Sequence, residues 1–141
     1  MTEPMDAVRL PARERMREAV ERYLAAVAAG TAEEIAALYT PEGTLEDPAG
    51  SQPVRGRAAI ADFYRPISGL ERRTRLREFR AAGDTAAFGF EVDVVLPGRV
   101  ITTSPIDVMT FDAEGLIVSM RAVWSDDDVR TAADEQNGET K

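Results

Sequence analysis

The sequence predicts an α+β domain in which helices of the first half pack on one side of a curved antiparallel sheet formed by the second half. In the first half, apolar residues recur at helical spacing, whereas from Arg73 onward they alternate with polar residues at a period of two. Glycine- and proline-containing turns separate the alternating runs. Helices followed by an antiparallel meander are typical of a two-layer α+β fold.

Three helices are predicted. The first covers about Arg13 to Ala29, and its apolar face contains Met16, Val20, Tyr23, Leu24 and Val27. A short second helix begins after Thr31, because Thr31 and Glu34 have the spacing of a capping box. Its apolar face is formed by Ile35, Leu38 and Tyr39. The third helix covers about Arg57 to Ile67, with an apolar face of Ile60, Phe63, Tyr64 and Ile67.

The strands follow from alternation and turns. The irregular stretch between Pro41 and Gly56 has room for one short strand around Leu45. A strand from about Ala86 to Val94 carries one wet face, and Pro97-Gly98 forms a hairpin turn into a second long strand, Val100 to Phe111. After a further turn, Leu116 to Trp124 form the last strand.

Length and charge define the domain and its partners. The 141 residues fit one domain over 13–125, preceded by a flexible extension at 1–12 and followed by an acidic tail at 126–141. The net charge of -8 argues against nucleic-acid and anionic-membrane partners. No apolar run is long enough to span a bilayer and no secretory signal is recognised, so a cytoplasmic location is expected.

The residue types that are missing restrict the chemistry. The chain has no histidine and no cysteine, and its one lysine is the terminal Lys141. Imidazole bases, thiolate nucleophiles, thiolate metal sites and a buried Schiff-base lysine are therefore excluded. Proton chemistry in this chain depends on carboxylates and tyrosines.

Each of the three tyrosines lies on the apolar face of a different predicted helix. Because a buried phenol needs a hydrogen-bond partner, Tyr23, Tyr39 and Tyr64 could form one network. The alternative is that each packs at the edge of the core without a shared role.

Two aspartates have unusual surroundings. Asp107 shares a strand face with Pro105, Met109 and Phe111 if alternation holds, and an apolar environment would raise its pKa and keep it protonated. Alternatively, this face is exposed, or an arginine of a neighbouring strand pairs with Asp107. Asp47 precedes Pro48 and could be no more than the start of a turn.

Several other features allow more than one interpretation. Phe63, Phe90, Met120 and Trp124 would serve equally as core residues or as the walls of an apolar pocket. The arginine-rich stretch Arg72 to Arg80 is interpreted as a solvated strand face rather than a phosphate site. The three aspartates at 126–128 are interpreted as part of the exposed tail rather than a cation site.

An ordered set of segments between about Met16 and Ser125 resembles bacterial ketosteroid isomerase, within the nuclear transport factor 2-like superfamily. The segments are Glu21 to Tyr23, Leu45 to Pro53, Gly56 to Tyr64, Ala86 to Phe90, Pro105 to Asp107, and Val118 to Ala122. The resemblance implies a cone-shaped fold with an apolar pocket, a steroid substrate, no cofactor, no metal and a homodimer formed through the exposed sheet face.

The resemblance also implies roles for individual residues. Asp47 looks like the general base, Tyr23 and Asp107 look like the oxyanion hole, and Tyr39 and Tyr64 resemble the phenols that hydrogen-bond Tyr23. The positions that would line the steroid pocket are Phe63, Phe90, Met120 and Trp124. A neutral catalytic carboxylic acid is an established property of ketosteroid isomerases, so it is implied here by the resemblance alone.

The implied reaction moves the 5,6 double bond of a 3-oxo-Δ5-steroid into conjugation through a dienolate. Two alternatives share the fold: another enzyme, or a binding protein without catalytic activity. Histidine-dependent dehydratases and cyclases are disfavoured by composition, and limonene epoxide hydrolase-like enzymes use an asparagine, whereas the only asparagine here is Asn137. A non-catalytic binding protein for an apolar ligand is the other alternative, although two carboxyls in an apolar pocket would not help it.

Overall fold

The structure, a computed structural model, describes residues 12–133. Its α-helices are α1 (Ala12–Ala29), α2 (Ala32–Ala36) and α3 (Arg57–Ser68). The capping box predicted at the start of α2 is present: Glu34 N donates to Thr31 Oγ1 over 3.0 Å, and Thr31 N donates to Glu34 Oε1 over 2.9 Å. These two bonds satisfy backbone donors that a helix start leaves unpaired, so α2 begins where the motif places it.

Within residues 12–133 the strands form one eight-stranded sheet. Their bounds are β1 (Tyr39–Glu46), β2 (Val54–Arg55), β3 (Glu71–Ala82), β4 (Thr85–Leu96), β5 (Arg99–Thr103), β6 (Ile106–Phe111), β7 (Ile117–Val123) and β8 (Val129–Ala133). The sheet order is β2-β1-β7-β6-β4-β5-β8, with β3 paired to β4. All pairs are antiparallel except β1 with β7, which run parallel. The helices on a sheet confirm the predicted α+β class, whereas the parallel β1–β7 pair departs from the antiparallel sheet that the sequence predicted.

The core lies between the helices and one face of the sheet. The buried face of α1 includes Val20 and Leu24, and it packs on β3, where Thr74 Oγ1 donates a 3.0 Å hydrogen bond to the Leu24 carbonyl. On the sheet, Phe88, Met109 and Met120 are among the most buried side chains. Because alternate strand residues point to opposite faces, these three side chains mark the core side of β4, β6 and β7.

Three boundary predictions for helices and strands are corrected. Tyr39 is the first residue of β1, not part of the second helix, and β1 is longer than the short strand predicted around Leu45. The long strand predicted from Val100 to Phe111 is two strands, because the chain leaves the sheet at Ser104 and Pro105. A proline cannot donate to the strand ladder, which explains the break.

Residues 126–133, predicted to be part of the acidic tail, form a turn and a strand instead. Asp126–Asp128 form a 3₁₀ turn, and β8 pairs antiparallel with β5, with Ile101 opposite Thr131. Residues 134–141, like residues 1–11 of the predicted extension, lie outside the described residues. No helix in the described part of the chain has the length and apolarity needed to span a membrane.

The arginine-rich stretch lies on β3 and is only partly solvated. Arg75 binds Asp93 of β4 at 2.9 Å and Glu91 at 2.8 Å, which cross-links the outer face of the sheet. Arg72, in contrast, is 7% exposed and donates to the Gly30 carbonyl at the end of α1. The prediction of a solvated face therefore does not hold for Arg72, whose alternate position on the strand turns it towards the core.

Candidate active site

The three tyrosine hydroxyls form a continuous hydrogen-bonded chain. Tyr64 Oη lies 2.9 Å from Tyr23 Oη and 3.1 Å from Tyr39 Oη, so Tyr64 is the central member. The phenols come from α1, β1 and α3, and each side chain is at most 5% exposed. The network suggested by the sequence is present, but Tyr39 reaches Tyr23 only through Tyr64, because the single Tyr64 hydroxyl lies between the other two.

Burial keeps all three phenols protonated. Desolvation is the largest cause that raises the pKa of Tyr23, Tyr39 and Tyr64 well above the usual phenol value. If Tyr39 donates to Tyr64 and Tyr64 donates to Tyr23, the proton of the Tyr23 hydroxyl is left for a further acceptor. The chain can therefore present one polarised donor at its Tyr23 end.

Asp107 is a buried carboxyl, and one of its oxygen atoms has no hydrogen-bond partner in the described part of the chain. It lies on β6 between two buried neighbours in the sheet, Phe88 of β4 and Ala122 of β7, and is 1% exposed. Its burial excludes the exposed-face alternative, and its Oδ1 atom has no hydrogen-bond partner, from an arginine or any other residue, among residues 12–133. Desolvation first, and then the charge of Asp47, raise the pKa of Asp107 well above its usual value. Burial therefore favours the neutral acid form of Asp107, which can donate a hydrogen bond.

Asp47 directly follows β1 and is bonded to an indole rather than serving only as a turn residue. The Nε1–H of Trp124 donates to Asp47 Oδ1 over 2.6 Å. Partial burial raises the pKa of Asp47, and the Trp124 hydrogen bond opposes that rise by stabilising the ionised form. The adjacent peptide bond to Pro48 is cis.

The two carboxyls act on each other and on the phenols. The negative charge of Asp47 contributes to the raised pKa of Asp107, Tyr23 and Tyr39. Asp107 is more deeply buried than Asp47, and its Oδ1 atom has no partner among the described residues. Its pKa is therefore raised further than that of Asp47, which loses its proton at lower pH. An ionised carboxylate beside a neutral acid and a neutral phenol is suited to removing a proton and stabilising the resulting oxyanion.

Comparison with known proteins identifies the family of this site. The family model of the SnoaL-like domain matches residues 20–120. The chain belongs to the SnoaL-like family. The matched range contains Tyr23, Asp47, Tyr64 and Asp107, so the site lies within the family domain.

The relatives of this SnoaL-like chain are named either as a steroid isomerase or as epoxide hydrolases. A steroid Delta-isomerase of Nocardioides simplex is 50% identical over 114 residues, which cover 81% of this chain and 93% of the relative. The epoxide hydrolase LasB of Streptomyces lasalocidi is 31% identical, over 90% of this chain but only 49% of that longer protein. Among solved structures, the epoxide hydrolase/cyclase-like enzyme SalBIII matches with a TM-score of 0.73 and 26% identity, covering 82% of this chain and 95% of SalBIII. The resemblance to ketosteroid isomerase, inferred from the sequence segments, is confirmed by the first relative.

The predicted pocket residues of this SnoaL-like domain differ in exposure. Phe90 and Met120 are buried at 5% and 1% exposure, whereas Phe63 is 37% exposed and stacks edge-to-face on Tyr64 with 5.2 Å between ring centroids. Trp124 is half-buried and makes the bond to Asp47. Phe90 and Met120 therefore belong to the hydrophobic core, and their part in the wall of a pocket stays a prediction.

Sequence reasoning missed two features of the site. Phe88 touches Tyr23 edge-to-face, with ring centroids 6.4 Å apart, and also stacks on Phe90 at 5.5 Å. The available signal was the position of Phe88 on the apolar face of β4, the face that it shares with its register partner Asp107 on β6. The Trp124–Asp47 bond had no signal in sequence spacing. Within residues 12–133 no cluster of three or more metal-ligating side chains is placed to hold a metal ion.

Proposed function

We propose that this protein is a steroid Δ-isomerase that converts a 3-oxo-Δ5-steroid to its conjugated Δ4 isomer. The observation that carries the proposal is the pairing of Asp107, neutral and with a buried oxygen lacking a partner, with the more readily ionised Asp47. The relative named steroid Delta-isomerase, 50% identical over most of both chains, supports the same reaction.

Asp47 is the proposed general base. Its carboxylate removes a proton from C4, between the 3-keto group and the 5,6 double bond, and the electron pair moves into a dienolate. The same group then returns the proton to C6, so no external acid or base is consumed. Partial burial makes Asp47 a stronger base than a free carboxylate, and the Trp124 hydrogen bond favours its ionised form.

Tyr23 and Asp107 are the proposed oxyanion hole. Negative charge builds on the C3 oxygen as the dienolate forms, and two neutral donors in a desolvated site stabilise it more strongly than water does. Tyr64 and Tyr39 support Tyr23 because each hydroxyl in the chain polarises the next. Both donors must be protonated, which their raised pKa values favour.

The steroid is expected to lie in the apolar pocket of a cone-shaped domain. Phe63, Phe90, Met120 and Trp124 are its proposed walls, together with Phe88, which links Tyr23 to Phe90. A planar apolar ligand gains from aromatic walls, while only its C3 oxygen needs polar partners. Neither a cofactor nor a metal is proposed for this reaction.

A homodimer is the proposed assembly, formed through the outer face of the sheet. Ile106 and Val123 lie directly opposite each other on β6 and β7, and they are 48% and 50% exposed on the side away from the core. Adjacent apolar side chains of this kind are typical of buried interfaces. Sedimentation of the wild type and of Ile106→Glu tests this: a dimer that becomes monomeric supports the interface, and a wild-type monomer contradicts it. The cytoplasmic location stays a prediction.

Epoxide hydrolysis is the alternative that the relatives LasB and SalBIII raise. The limonene epoxide hydrolase-like arrangement joins two aspartates through an arginine, whereas Asp47 here is bonded to Trp124 and Oδ1 of Asp107 has no partner in the described chain. This difference favours proton transfer over activation of water.

The deciding experiment follows the growth of enone absorbance when a Δ5-3-ketosteroid is mixed with the purified protein. Parallel reactions contain limonene oxide, with diol formation as the readout. Enone formation well above the buffer rate supports the isomerase. A steroid rate equal to that of buffer contradicts it, and diol formation alone would establish the hydrolase instead.

A further inference from the structure

The residue before the proposed base carries a hydrogen-bonded carboxylate that the mechanism does not use. Glu46 is the last residue of β1 and Arg121 is its register partner on β7. Arg121 Nε donates to Glu46 Oε1 over 3.2 Å, and Nη2 donates to Oε2 over 3.4 Å. The backbone N–H of Gly50 donates to the same Oε2 atom. One carboxylate therefore joins the strand β7 to the loop that begins with Asp47.

The bond from Gly50 to the Glu46 carboxylate fixes the loop of residues 47–50, which includes Asp47. Residues 47–50 leave β1 and turn back, and Gly50 adopts φ 98°, a conformation that favours glycine. A second link is the bond from Ala49 N to the Ala122 carbonyl, at 2.7 Å. The backbone on both sides of Asp47 is thus attached to β7, the strand whose end carries Trp124.

We propose that Glu46 is a positioning residue for Asp47, acting through Gly50 and Arg121. The inference rests on the proposed isomerase function. The side chain of Asp47 has to reach both C4 and C6, so it needs rotational freedom while its backbone stays in place. Glu46 points away from the core side of β1, where Leu45 is buried, because strand residues alternate, and it holds the backbone without contacting the substrate.

The exposure of this ion pair points to positioning rather than to a large effect on stability. The side chains of Arg121 and Glu46 are 58% and 21% exposed, and exposed ion pairs contribute little to folding. The bonds to Gly50 and Arg121 nevertheless lower the pKa of Glu46, so the carboxylate stays ionised across the working pH range.

The test compares Glu46→Ala and Glu46→Gln with a matched control, Glu33→Gln. Glu33 also forms an exposed ion pair, with Arg65 at 2.8 Å, but it lies on α2, away from the loop. We expect Glu46→Ala to lower kcat about 10- to 100-fold, since small displacements of a reacting group have costs of this size. KM should stay the same, because Glu46 does not contact the substrate. Glu46→Gln keeps an acceptor for Gly50 and should recover part of the rate, and Glu33→Gln should match the wild type.

A second readout does not depend on activity. Trp124 is the only tryptophan of the chain and contacts Asp47, so its fluorescence reports on that contact as Asp47 ionises. Glu46→Ala should reduce the pH-dependent change in Trp124 emission at least twofold, while Glu33→Gln leaves it unchanged. If Glu46→Ala retains both the wild-type kcat and the wild-type emission change, the positioning role is overturned. If the wild type does not isomerise steroids but Glu46→Ala still alters the emission change, the proposed function fails and the positioning of Asp47 stands.

Discussion

Trp124 Nε1 donates a 2.6 Å hydrogen bond to Asp47 Oδ1, although the two residues lie 77 positions apart in the chain. They meet because β1 and β7 run parallel, with Glu46 opposite Arg121, so both strands end at the same edge of the sheet. The bond stabilises the ionised form of a carboxylate whose pKa burial raises. The parallel pair therefore places the indole that favours the ionised form of the proposed base.

Trp124→Phe keeps an aromatic wall and removes this bond. A hydrogen bond to a charged group contributes about 1.5–3 kcal/mol, and its loss should raise the pKa of Asp47 further. We expect the acidic limb of kcat/KM to move to higher pH, with a loss of less than about tenfold on the plateau. Rate measurements across pH 4 to 9 would contradict this if the limb stayed in place or moved to lower pH.

Asp47→Asn removes the proposed base while it keeps the size and one acceptor of the side chain. General-base catalysis typically accounts for about 10²–10⁴ in rate, so kcat should fall within that range. Binding of a product steroid, followed by Trp124 fluorescence, should stay within a few-fold of the wild type. An unchanged kcat would show that another group takes the C4 proton.

Asp107→Leu tests the oxyanion role. Loss of a single oxyanion donor typically costs about 10²–10³ in kcat, and we expect a loss of that size with little change in steroid binding. Asp107→Asn, which keeps a donor, should retain more activity than Asp107→Leu. Equal losses in kcat and in binding would instead point to a structural role.

Asp107 also makes a prediction about stability. Its pKa is higher in the folded state than in the unfolded chain, where it is about 3.9. The folded state therefore holds the proton longer, and the stability that this contributes is present at low pH and is lost as pH rises from about 4 towards the raised folded value. Compared with Asp107→Asn, the wild type should lose up to about 1.4 kcal/mol per pH unit in that window. Urea unfolding at several pH values measures the difference, and parallel curves for the two proteins would refute the prediction.

Tyr64→Phe and Tyr39→Phe remove one oxygen atom each but differ in position. Tyr64 is the centre of the phenol chain, so its loss leaves the hydroxyl of Tyr39 without its partner in a buried site. An unsatisfied buried hydroxyl costs about 1–3 kcal/mol, and Tyr64→Phe should be destabilised by about that amount. Tyr39→Phe leaves the Tyr23–Tyr64 bond intact and should be less destabilised, with a smaller fall in kcat. Urea unfolding and steady-state kinetics check both parts, and equal effects of the two variants would contradict the order of the chain.

The parts of the structure that depend on neighbouring residues were predicted well. The limits of α1, the capping box of α2 and the alternation on β4 follow from local spacing. The burial of Asp107 was one of the alternatives that local spacing offered, since residues two apart on a strand share a face and its neighbours on that face are apolar.

What local spacing could not predict was pairing between distant segments. Tyr39 has a helical spacing to Ile35, yet it joins a strand because β1 pairs with β7, and β8 forms from a polar stretch because β5 offers it an edge. The amino-acid sequence by itself determined which carboxyls and phenols are available, and it put Asp107 on a strand face that it shares with apolar residues. Only the tertiary structure decided that Trp124 bonds Asp47 and that Tyr64 lies between Tyr23 and Tyr39. The reason is that side-chain contacts across strands and helices depend on register and packing, which no local pattern specifies.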